Sequence, residues 1–265
     1  MSKPKIAILQ FPGVNCEYES KLACEQAGME AEIYRWNSGE PLDTYDGFLL
    51  PGGWSYEDRV RAGAIAAKDP LLEQLREQAA LGKPVIGICN GAQILVESGL
   101  IPNIDNTLRV DFALAPNINP RVSGYYCTWI HVMNSSKKQT AFNRTMKYEE
   151  VLPLPIAHGE GRFVTRNKEL IDTLIKNDQI AFRYCNEEGN VINEFPVNPN
   201  GSLYSIAALT NPEGNVMAIM PHPERAMEKR QVPGFQGSYE ESRQHGPGSK
   251  IFFSMKEYIE ERRKK

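Results

Sequence analysis

The sequence has few cysteines and no long apolar run, and each absence excludes a class of protein. Its five cysteines are scattered and include no Cys-x-x-Cys pair, which argues against a disulfide framework and against a structural zinc site. No run approaches the roughly eighteen apolar residues of a membrane helix, and the start of the chain lacks the apolar core of a signal peptide. We therefore expect a cytoplasmic protein with reduced thiols and no membrane partner.

An excess of positive charge is also missing. The 265 residues include 30 Lys and Arg against 33 Asp and Glu, so the formal net charge is −3. A nucleic-acid-binding protein usually carries a basic patch, and we expect no nucleic-acid partner here. The length suits one large α/β domain. Since no repeat or clear linker interrupts the chain, we predict a single domain over residues 1–265.

Strand-like and helical segments alternate in the first half of the chain. Four apolar runs, separated by helical spacing, predict strands: "KIAIL", "AEIYRW", "YDGFLLPGG" and "KPVIGIC". This alternation is typical of parallel βαβ units, so we expect an α/β fold with a doubly wound, mostly parallel sheet flanked by helices. Ligands bind at the carboxyl ends of the strands in such sheets, where "PGG" and "GICNG" both fall.

The second half of the chain is less regular. Mixed strands and long loops are expected over residues 100–150, followed by a helix near Lys168 to Lys176. Two apolar runs on either side of "PEGN" predict a hairpin, and a closing helix is expected from about Ser249.

The segment Gly87-Ile88-Cys89-Asn90-Gly91 follows a predicted strand and enters a predicted helix. This is the pattern of a nucleophile elbow, in which the flanking glycines let a sharp turn expose the reactive side chain. A helix N-terminus also favours the thiolate form of cysteine. The pattern predicts Cys89 as a nucleophile, and the alternative is a small buried structural cysteine.

A thiol nucleophile usually needs a base, and the chain has only four histidines to supply it: His131, His158, His222 and His245. His222 follows a predicted strand directly, and Glu224 stands two residues later, after Pro223. In an extended segment both side chains would point to the same side, where the carboxylate could orient the imidazole. The alternative is a surface loop in which the glutamate begins a helix.

Attack on a carbonyl group would also require hydrogen-bond donors for the developing oxyanion. The backbone N–H of Asn90 is one candidate, because it follows the nucleophile. The turn "LLPGGWS" supplies a second through Gly52 and Gly53, where the backbone can approach a substrate closely. A simple tight turn is the alternative.

Several of these motifs resemble one family. "PGGWSYEDRVRAGAIA", "GICNGAQ", "PIAHGEGRF" and "MPHPER" are similar to segments of the class I (triad) glutamine amidotransferases, and most closely to the glutaminase subunits of phosphoribosylformylglycinamidine synthase. "LQFPGVNCE" near the start resembles the opening of those subunits. The motifs extend from about Lys5 to Phe253, and the resemblance implies a flavodoxin-like fold.

The resemblance implies a role for individual residues. Cys89 becomes the nucleophile, His222 the acid and base, and Glu224 its orienting partner. The backbone N–H groups of Gly53 and Asn90 become the oxyanion donors. The implied contacts to the substrate are Gly52, Gln93, His158 and Gly159. The resemblance implies no metal site.

It also implies an activity and partners. L-glutamine would be hydrolysed through a glutamyl thioester, and the ammonia would pass to a synthetase subunit that uses ATP to convert formylglycinamide ribonucleotide to the amidine in purine synthesis. A small accessory subunit is expected as well. The chain contains no Gly-x-x-x-x-Gly-Lys-Ser/Thr loop, so no cofactor is expected in this chain, and ATP and magnesium are expected on the partner.

Some residues depart from the family pattern, and other functions stay open. Trp54, Glu57 and Arg59 differ from the usual Gly-Gly-Phe-Ser-Tyr-Gly-Asp-Tyr segment, which could alter substrate access or partner contacts. Loop insertions are expected near residues 100–120 and 228–247, as a lid or a docking surface. The alternative functions are the glutaminase subunit of another amidotransferase, a γ-glutamyl hydrolase, or an inert binding module.

Overall fold

The computed structural model describes residues 2–264. Its strands, in chain order, are β1 (Lys5–Gln10), β2 (Glu30–Arg35), β3 (Gly47–Leu50), β4 (Val85–Ile88), β5 (Ala113–Ala115), β6 (Tyr126–Asn134), β7 (Val151–His158), β8 (Arg162–Val164), β9 (Ile180–Cys185), β10 (Ile206–Thr210) and β11 (Val216–Ile219). The α-helices are α1 (Glu17–Gln26), α2 (Leu71–Ala80), α3 (Asn90–Glu97), α4 (Glu169–Lys176), α5 (Tyr239–Ser242) and α6 (Ser249–Arg262). Among these residues no helix is long and apolar enough to cross a membrane.

Nine strands form one sheet in the order β2-β1-β3-β4-β11-β10-β9-β6-β7. The strands from β2 to β11 in this order pair in parallel, and the remaining strands pair antiparallel. The expected doubly wound α/β fold is confirmed, and so is the hairpin, which joins β10 to β11. The antiparallel strands extend the sheet on one side of the parallel part.

The centre of the parallel part is buried on both faces. Every residue of β3, β4 and β11 is buried, as expected for parallel strands covered by helices on both sides. Every residue of α3 is buried as well, and this helix packs on β4 and β11. The three strands therefore hold the loops at their carboxyl ends in fixed positions.

Strand β7 is an element that the sequence patterns did not predict. It contains Pro153 and Pro155, which cannot donate hydrogen bonds to a neighbouring strand. The structure accommodates them because β7 pairs only with β6 and lies at an edge of the sheet. This strand ends at His158, so it delivers the "AHGEG" segment to the loops that follow the parallel strands.

The two segments expected as insertions have some regular structure. Residues 100–120 contain β5, which pairs with β8 in a separate two-stranded sheet. Residues 228–247 contain α5, and Glu228 forms an isolated bridge with His245. The second segment is held to α6 through the ring of His245, whose centroid lies 4.8 Å from that of Phe253.

Candidate active site

Cys89 occupies the turn between β4 and α3, with φ +53° and ψ −105°. A positive φ is rare for a residue with a side chain and is found where the surrounding structure enforces it. The flanking glycines make this possible. A Cβ atom on Gly91 would lie 1.9 Å from the backbone oxygen of Leu50, and one on Gly87 would lie 2.4 Å from the oxygen of Gly91. The strand–turn–helix geometry expected of an elbow is therefore present.

His222 is brought to Cys89 by the pairing of β4 with β11. Ile88 and Ile219 are register partners, and the backbone N–H of Cys89 donates to the oxygen of Ile219 at 2.9 Å. Gly52, after β3, completes the group. A Cβ atom on Gly52 would lie 3.0 Å from Cε1 of His222 and 3.4 Å from Cβ of Cys89. Three sequence-predicted residues from three strand ends thus surround one point.

The carboxylate of Glu224 contacts Nδ1 of the His222 ring. Its Oε1 lies 2.5 Å from Nδ1 of His222, and both side chains are buried. The expected extended segment is wrong, because Pro223–Arg225 form a 3₁₀ turn, and this turn brings the carboxylate back to the imidazole. Burial lowers the pKa of His222, but the charges of Glu224 and Cys89 outweigh it and raise this pKa overall. Nε2 makes no hydrogen bond within residues 2–264.

A second thiol, Cys16, lies beside the same pair. Its sulfur, a ring nitrogen of His222 and a carboxylate oxygen of Glu224 are all within 4.8 Å of one another. These residue types can bind a metal ion, although Oε1 of Glu224 already contacts the imidazole. Burial, followed by the charge of Glu224, raises the pKa of Cys16 to about 12, while Nη2 of Arg225 donates to its sulfur at 2.9 Å. Cys16 is therefore a protonated thiol at neutral pH.

Two backbone amides near Cys89 are available as donors. Gly53 has φ +142°, and a Cβ atom there would lie 2.7 Å from the backbone nitrogen of Asn15, so only glycine fits this turn. Asn90 is the first residue of α3, where backbone N–H groups lack partners inside the helix. In the part of the chain that the structure describes, neither amide donates a hydrogen bond.

The side chain of Asn90 connects the elbow to the loop after β3. Its Oδ1 accepts from the backbone N–H of Ser55 at 3.0 Å, and its Nδ2 donates to Oδ1 of Asp58 at 3.1 Å and to Oε1 of Gln93 at 2.9 Å. Gln93 in turn donates to the backbone oxygen of Glu160 at 2.8 Å. This network holds the loops after β3 and β7 against the start of α3.

A cavity of about 150 Å³ lies at this junction. Five of the sequence-predicted residues line it: Gly53, Cys89, Gln93, His158 and Gly159. Gly52, His222 and Glu224 are not among the residues that line it. Of the 100–120 segment, Asn117 contributes support, because its side chain donates to the backbone oxygen of His158 at 2.8 Å and accepts from Gly161 at 3.1 Å.

His158 is a buried, neutral histidine. Its Nδ1 lies 3.2 Å from Oδ1 of Asn117, so this nitrogen carries the proton and Nε2 is an acceptor. Burial, followed by the charge of His222, lowers the pKa of His158 to about 3. Nε2 has no hydrogen-bond partner among the described residues, although the side chain is only 2% exposed.

Four further residues line the cavity. Trp54 was named from the sequence only as a residue that could alter substrate access, and three were missed: Asp58, Tyr125 and Glu160. Asp58 and Glu160 stand inside the motifs "GGWSYED" and "AHGEG", so their neighbours were a usable signal. Tyr125 had no such signal. Its ring pairs with that of Trp54 at 5.9 Å between centroids, a contact between segments far apart in the chain. Cys16 could have been found because it follows β1, whose carboxyl end lies at the same edge of the sheet.

Fold and site together define the class of protein. The sheet carries a cysteine on a glycine-flanked turn, and the next parallel strand leads to a histidine bonded to a carboxylate. This is the arrangement expected of a glutamine amidotransferase. The chain belongs to the CobB/CobQ-like glutamine amidotransferase domain family, whose model matches residues 3–259.

Individual relatives align with nearly the whole chain. The phosphoribosylformylglycinamidine synthase subunit PurQ of Methanothrix thermoacetophila is 50% identical over 98% of this chain and 99% of its own length. The subunit of the same name from Pyrococcus horikoshii is 39% identical over 96% of this chain and 98% of its own length. PurLQS from Thermotoga maritima contains a chain with a TM-score of 0.75 and 31% identity, covering 97% of this chain and 100% of that one. The resemblance inferred from the motifs is therefore confirmed.

Proposed function

We propose that this chain is the glutaminase subunit of phosphoribosylformylglycinamidine synthase. It hydrolyses L-glutamine to glutamate and ammonia, and a synthetase subunit uses the ammonia to convert formylglycinamide ribonucleotide to formylglycinamidine ribonucleotide. The observation that carries the chemistry is the meeting of Cys89, His222 and Gly52 at one point, with Glu224 2.5 Å from the imidazole. The assignment to this synthase is supported by the full-length similarity to two subunits of that name.

The reaction begins with Cys89 as a thiolate whose proton rests on His222. The sulfur attacks the side-chain carbonyl carbon of glutamine, and the carbonyl oxygen becomes an oxyanion that the N–H groups of Gly53 and Asn90 stabilise. As the carbon–nitrogen bond breaks, His222 gives its proton to the leaving nitrogen and ammonia departs. A glutamyl thioester remains on Cys89.

The second half regenerates the enzyme. His222 takes a proton from water as the water oxygen attacks the thioester carbon. The carbon–sulfur bond breaks, glutamate leaves, and the thiolate and protonated imidazole are restored. Glu224 favours the protonated ring throughout, because its charge raises the pKa of His222 after burial has lowered it.

The geometry favours Cys89 over Cys16 as the nucleophile. Cys89 lines the cavity, whereas Cys16 is 1% exposed and does not line it. Cys89 also lies directly before the N-terminus of α3. Cys16 has a pKa raised to about 12, chiefly by burial. The cavity residues Gln93, His158 and Gly159 are then contacts for the substrate.

We also infer the organisation of the complex. Residues 1–265 form a single domain, since one sheet carries the strands on both sides of the site. ATP and magnesium bind to the synthetase subunit, and a small accessory subunit joins the two. The segments 100–120 and 228–247 are candidates for a lid or a docking surface.

The test mixes the full chain with the synthetase subunit and L-glutamine, and measures glutamate release with and without ATP and formylglycinamide ribonucleotide. We expect the partner and its substrates to stimulate release. Cys89→Ala should abolish it, whereas Cys16→Ala should retain most of it. A lack of stimulation would exclude this synthase, and fast hydrolysis of γ-glutamyl peptides by the chain alone would favour a γ-glutamyl hydrolase. Unchanged release by Cys89→Ala would point to an inert binding module.

A further inference from the structure

A second, larger cavity lies on the antiparallel part of the sheet. Its volume is about 500 Å³, and residues of α4, β6 and β9 line it. We call it the α4 cavity. Among the described residues, none that lines it also lines the cavity at Cys89. Sites for small molecules typically measure roughly 300–1,000 Å³, so the α4 cavity is large enough for such a ligand.

The guanidinium group of Arg183 is held in place on the wall of this cavity. Its Cζ lies 3.6 Å from the ring centroid of Tyr204, and its Nε donates to the backbone oxygen of Tyr204 at 2.9 Å. Within residues 2–264, neither Nη1 nor Nη2 donates a hydrogen bond. Burial lowers the pKa of Arg183, so a bound anion would stabilise its charge. A fixed guanidinium group with both Nη atoms free suits bidentate binding of a phosphate or carboxylate group.

Positive charges outnumber negative charges in the lining of the α4 cavity. Lys137 and Lys176 accompany Arg183, whereas the carboxylates are those of Glu149 and Asp178. Over residues 2–264, no nitrogen of the three cations lies within 4.0 Å of a carboxylate oxygen. Oδ2 of Asp178 already accepts two hydrogen bonds from the segment after β6. Because both lysines are exposed, the half-buried Arg183 is the main reason to expect an anion here.

Two tyrosine rings line the same cavity. Tyr148 is 45% exposed and Tyr204 is 38% exposed, and Nζ of Lys137 lies 5.2 Å from the ring centroid of Tyr148. Tyr204 has φ +53°, which is a rare conformation for a bulky residue and is typical of functional positions. Since Tyr204 already contacts Arg183, the ring of Tyr148 is the one available to a ligand. Exposed aromatic rings beside cations are the surfaces on which nucleobases stack.

We propose that the α4 cavity binds a mononucleotide. Nη1 and Nη2 of Arg183 bind the phosphate group, and the base stacks on the ring of Tyr148. Tyr204 positions the guanidinium group. Inorganic phosphate lacks the base and a nucleoside lacks the charge, so each makes only part of these contacts. This inference is independent of the proposed function, because no residue of the α4 cavity takes part in the hydrolysis of glutamine.

The experiment is isothermal titration calorimetry of the full chain with three probes: AMP, adenosine and inorganic phosphate. We expect AMP to bind at least roughly tenfold more tightly than either of the others, since it makes both contacts. Arg183→Gln should weaken AMP binding by roughly ten- to a hundredfold, the range of hydrogen bonds to a charged group. Tyr148→Leu should weaken AMP binding roughly tenfold, as expected for one base–aromatic contact, and should leave phosphate binding unchanged.

The matched control is Arg243→Gln. It removes another arginine that lies over a tyrosine ring, with Cζ 6.0 Å from the centroid of Tyr239, but that does not line the α4 cavity. This variant should bind AMP as wild type does. Absence of AMP binding at millimolar concentration, or AMP binding no tighter than phosphate, would exclude a nucleotide site. Equal AMP affinity in Arg183→Gln and Arg243→Gln would show that any binding occurs elsewhere. Because Tyr148 is exposed, Tyr148→Leu still tests the proposal if Arg183→Gln does not fold.

Discussion

Oε1 of Glu224 lies 2.5 Å from Nδ1 of His222, at the carboxyl end of β11 and beside the Cys89 turn. Both side chains are buried, so the attraction between carboxylate and imidazolium is weakly screened. This contact engages Nδ1, and Nε2 has no hydrogen-bond partner within residues 2–264; in the proposed mechanism Nε2 is the nitrogen that exchanges protons with sulfur and substrate.

Replacing Glu224 with Gln should reduce kcat for glutamine hydrolysis by roughly 10²- to 10⁴-fold, because the amide keeps the contact but not the charge that favours the protonated ring. The measurement is glutamate release by the full complex at saturating glutamine. Glu19→Gln is a suitable control, since that carboxylate contacts Arg225 at 3.3 Å on the outer side of the turn. A similar loss in both variants would mean that the charge of Glu224 has no special role.

The same contact predicts a pH dependence of stability. The raised pKa of folded His222, relative to its ordinary 6.5, means that its contribution to the free energy of unfolding is fully present below about pH 6.5. That contribution decreases as the pH rises through the folded pKa. Urea unfolding at pH 6 and pH 9 should show a smaller pH effect in Glu224→Gln than in wild type. An equal effect would contradict the assignment of this proton to His222.

Asn90→Ala should destabilise the protein by roughly 2–4 kcal/mol, because two buried hydrogen bonds and one part-buried hydrogen bond are lost together. The loop that they hold contains Tyr56, Glu57 and Asp58, whose φ values of +52°, +60° and +52° are unfavourable for these residues. We also expect a higher KM for glutamine. Thermal unfolding and steady-state kinetics check both effects. Asn177→Ala, which removes one bond at an exposed position, should change neither by a comparable amount.

Gly91→Ala should reduce the free energy of unfolding by more than about 3 kcal/mol, since the new Cβ would overlap the backbone oxygen of Leu50, which cannot move aside easily. Gly39→Ala is the comparison. Gly39 has φ +73°, and a Cβ atom added there would meet no described atom within 4 Å, so only the backbone strain of about 1 kcal/mol applies. Equal losses in chemical denaturation would show that close packing at the elbow is unimportant.

Asp58→Asn should make the protein more stable at neutral pH. Burial, followed by Glu160, raises the pKa of Asp58 from 3.8 to about 6, so the folded state keeps a proton that the unfolded chain has lost. Wild-type stability therefore falls as the pH rises from 3.8 to 6. The variant avoids that loss, and allowing for the half-exposed side chain we expect a gain of about 1 kcal/mol at pH 7.5.

Urea unfolding of Asp58→Asn and wild type at pH 7.5 measures this gain, and the difference should be small at pH 3.5. A variant that is less stable than wild type at pH 7.5 would contradict the raised pKa of Asp58. A stabilised variant with impaired glutamine binding would be typical of a functional site that costs stability.

Local sequence patterns were sufficient to predict a feature where the residues that cause it are neighbours in the chain. "GICNGAQ" combines a buried strand, two glycines that permit a sharp turn, and a helix start, so the position of Cys89 followed from neighbours in the chain. The parallel order of the first strands followed from their alternation with helices. His222 was found in the segment that follows a strand, but the 3₁₀ turn that brings Glu224 to it was not, because Pro223 is compatible with both extended and helical turns.

By itself, the sequence determined the α/β fold, the elbow and the family, because periodicity and short motifs depend on adjacent residues. Only the tertiary structure decided what surrounds the sulfur. Tyr125 meets Trp54, Asn117 supports His158, and Asp58 and Glu160, which are more than 100 positions apart in the chain, line one cavity. Such contacts arise because the order of strands in the sheet brings distant loops to one edge. Local sequence patterns do not predict that strand order.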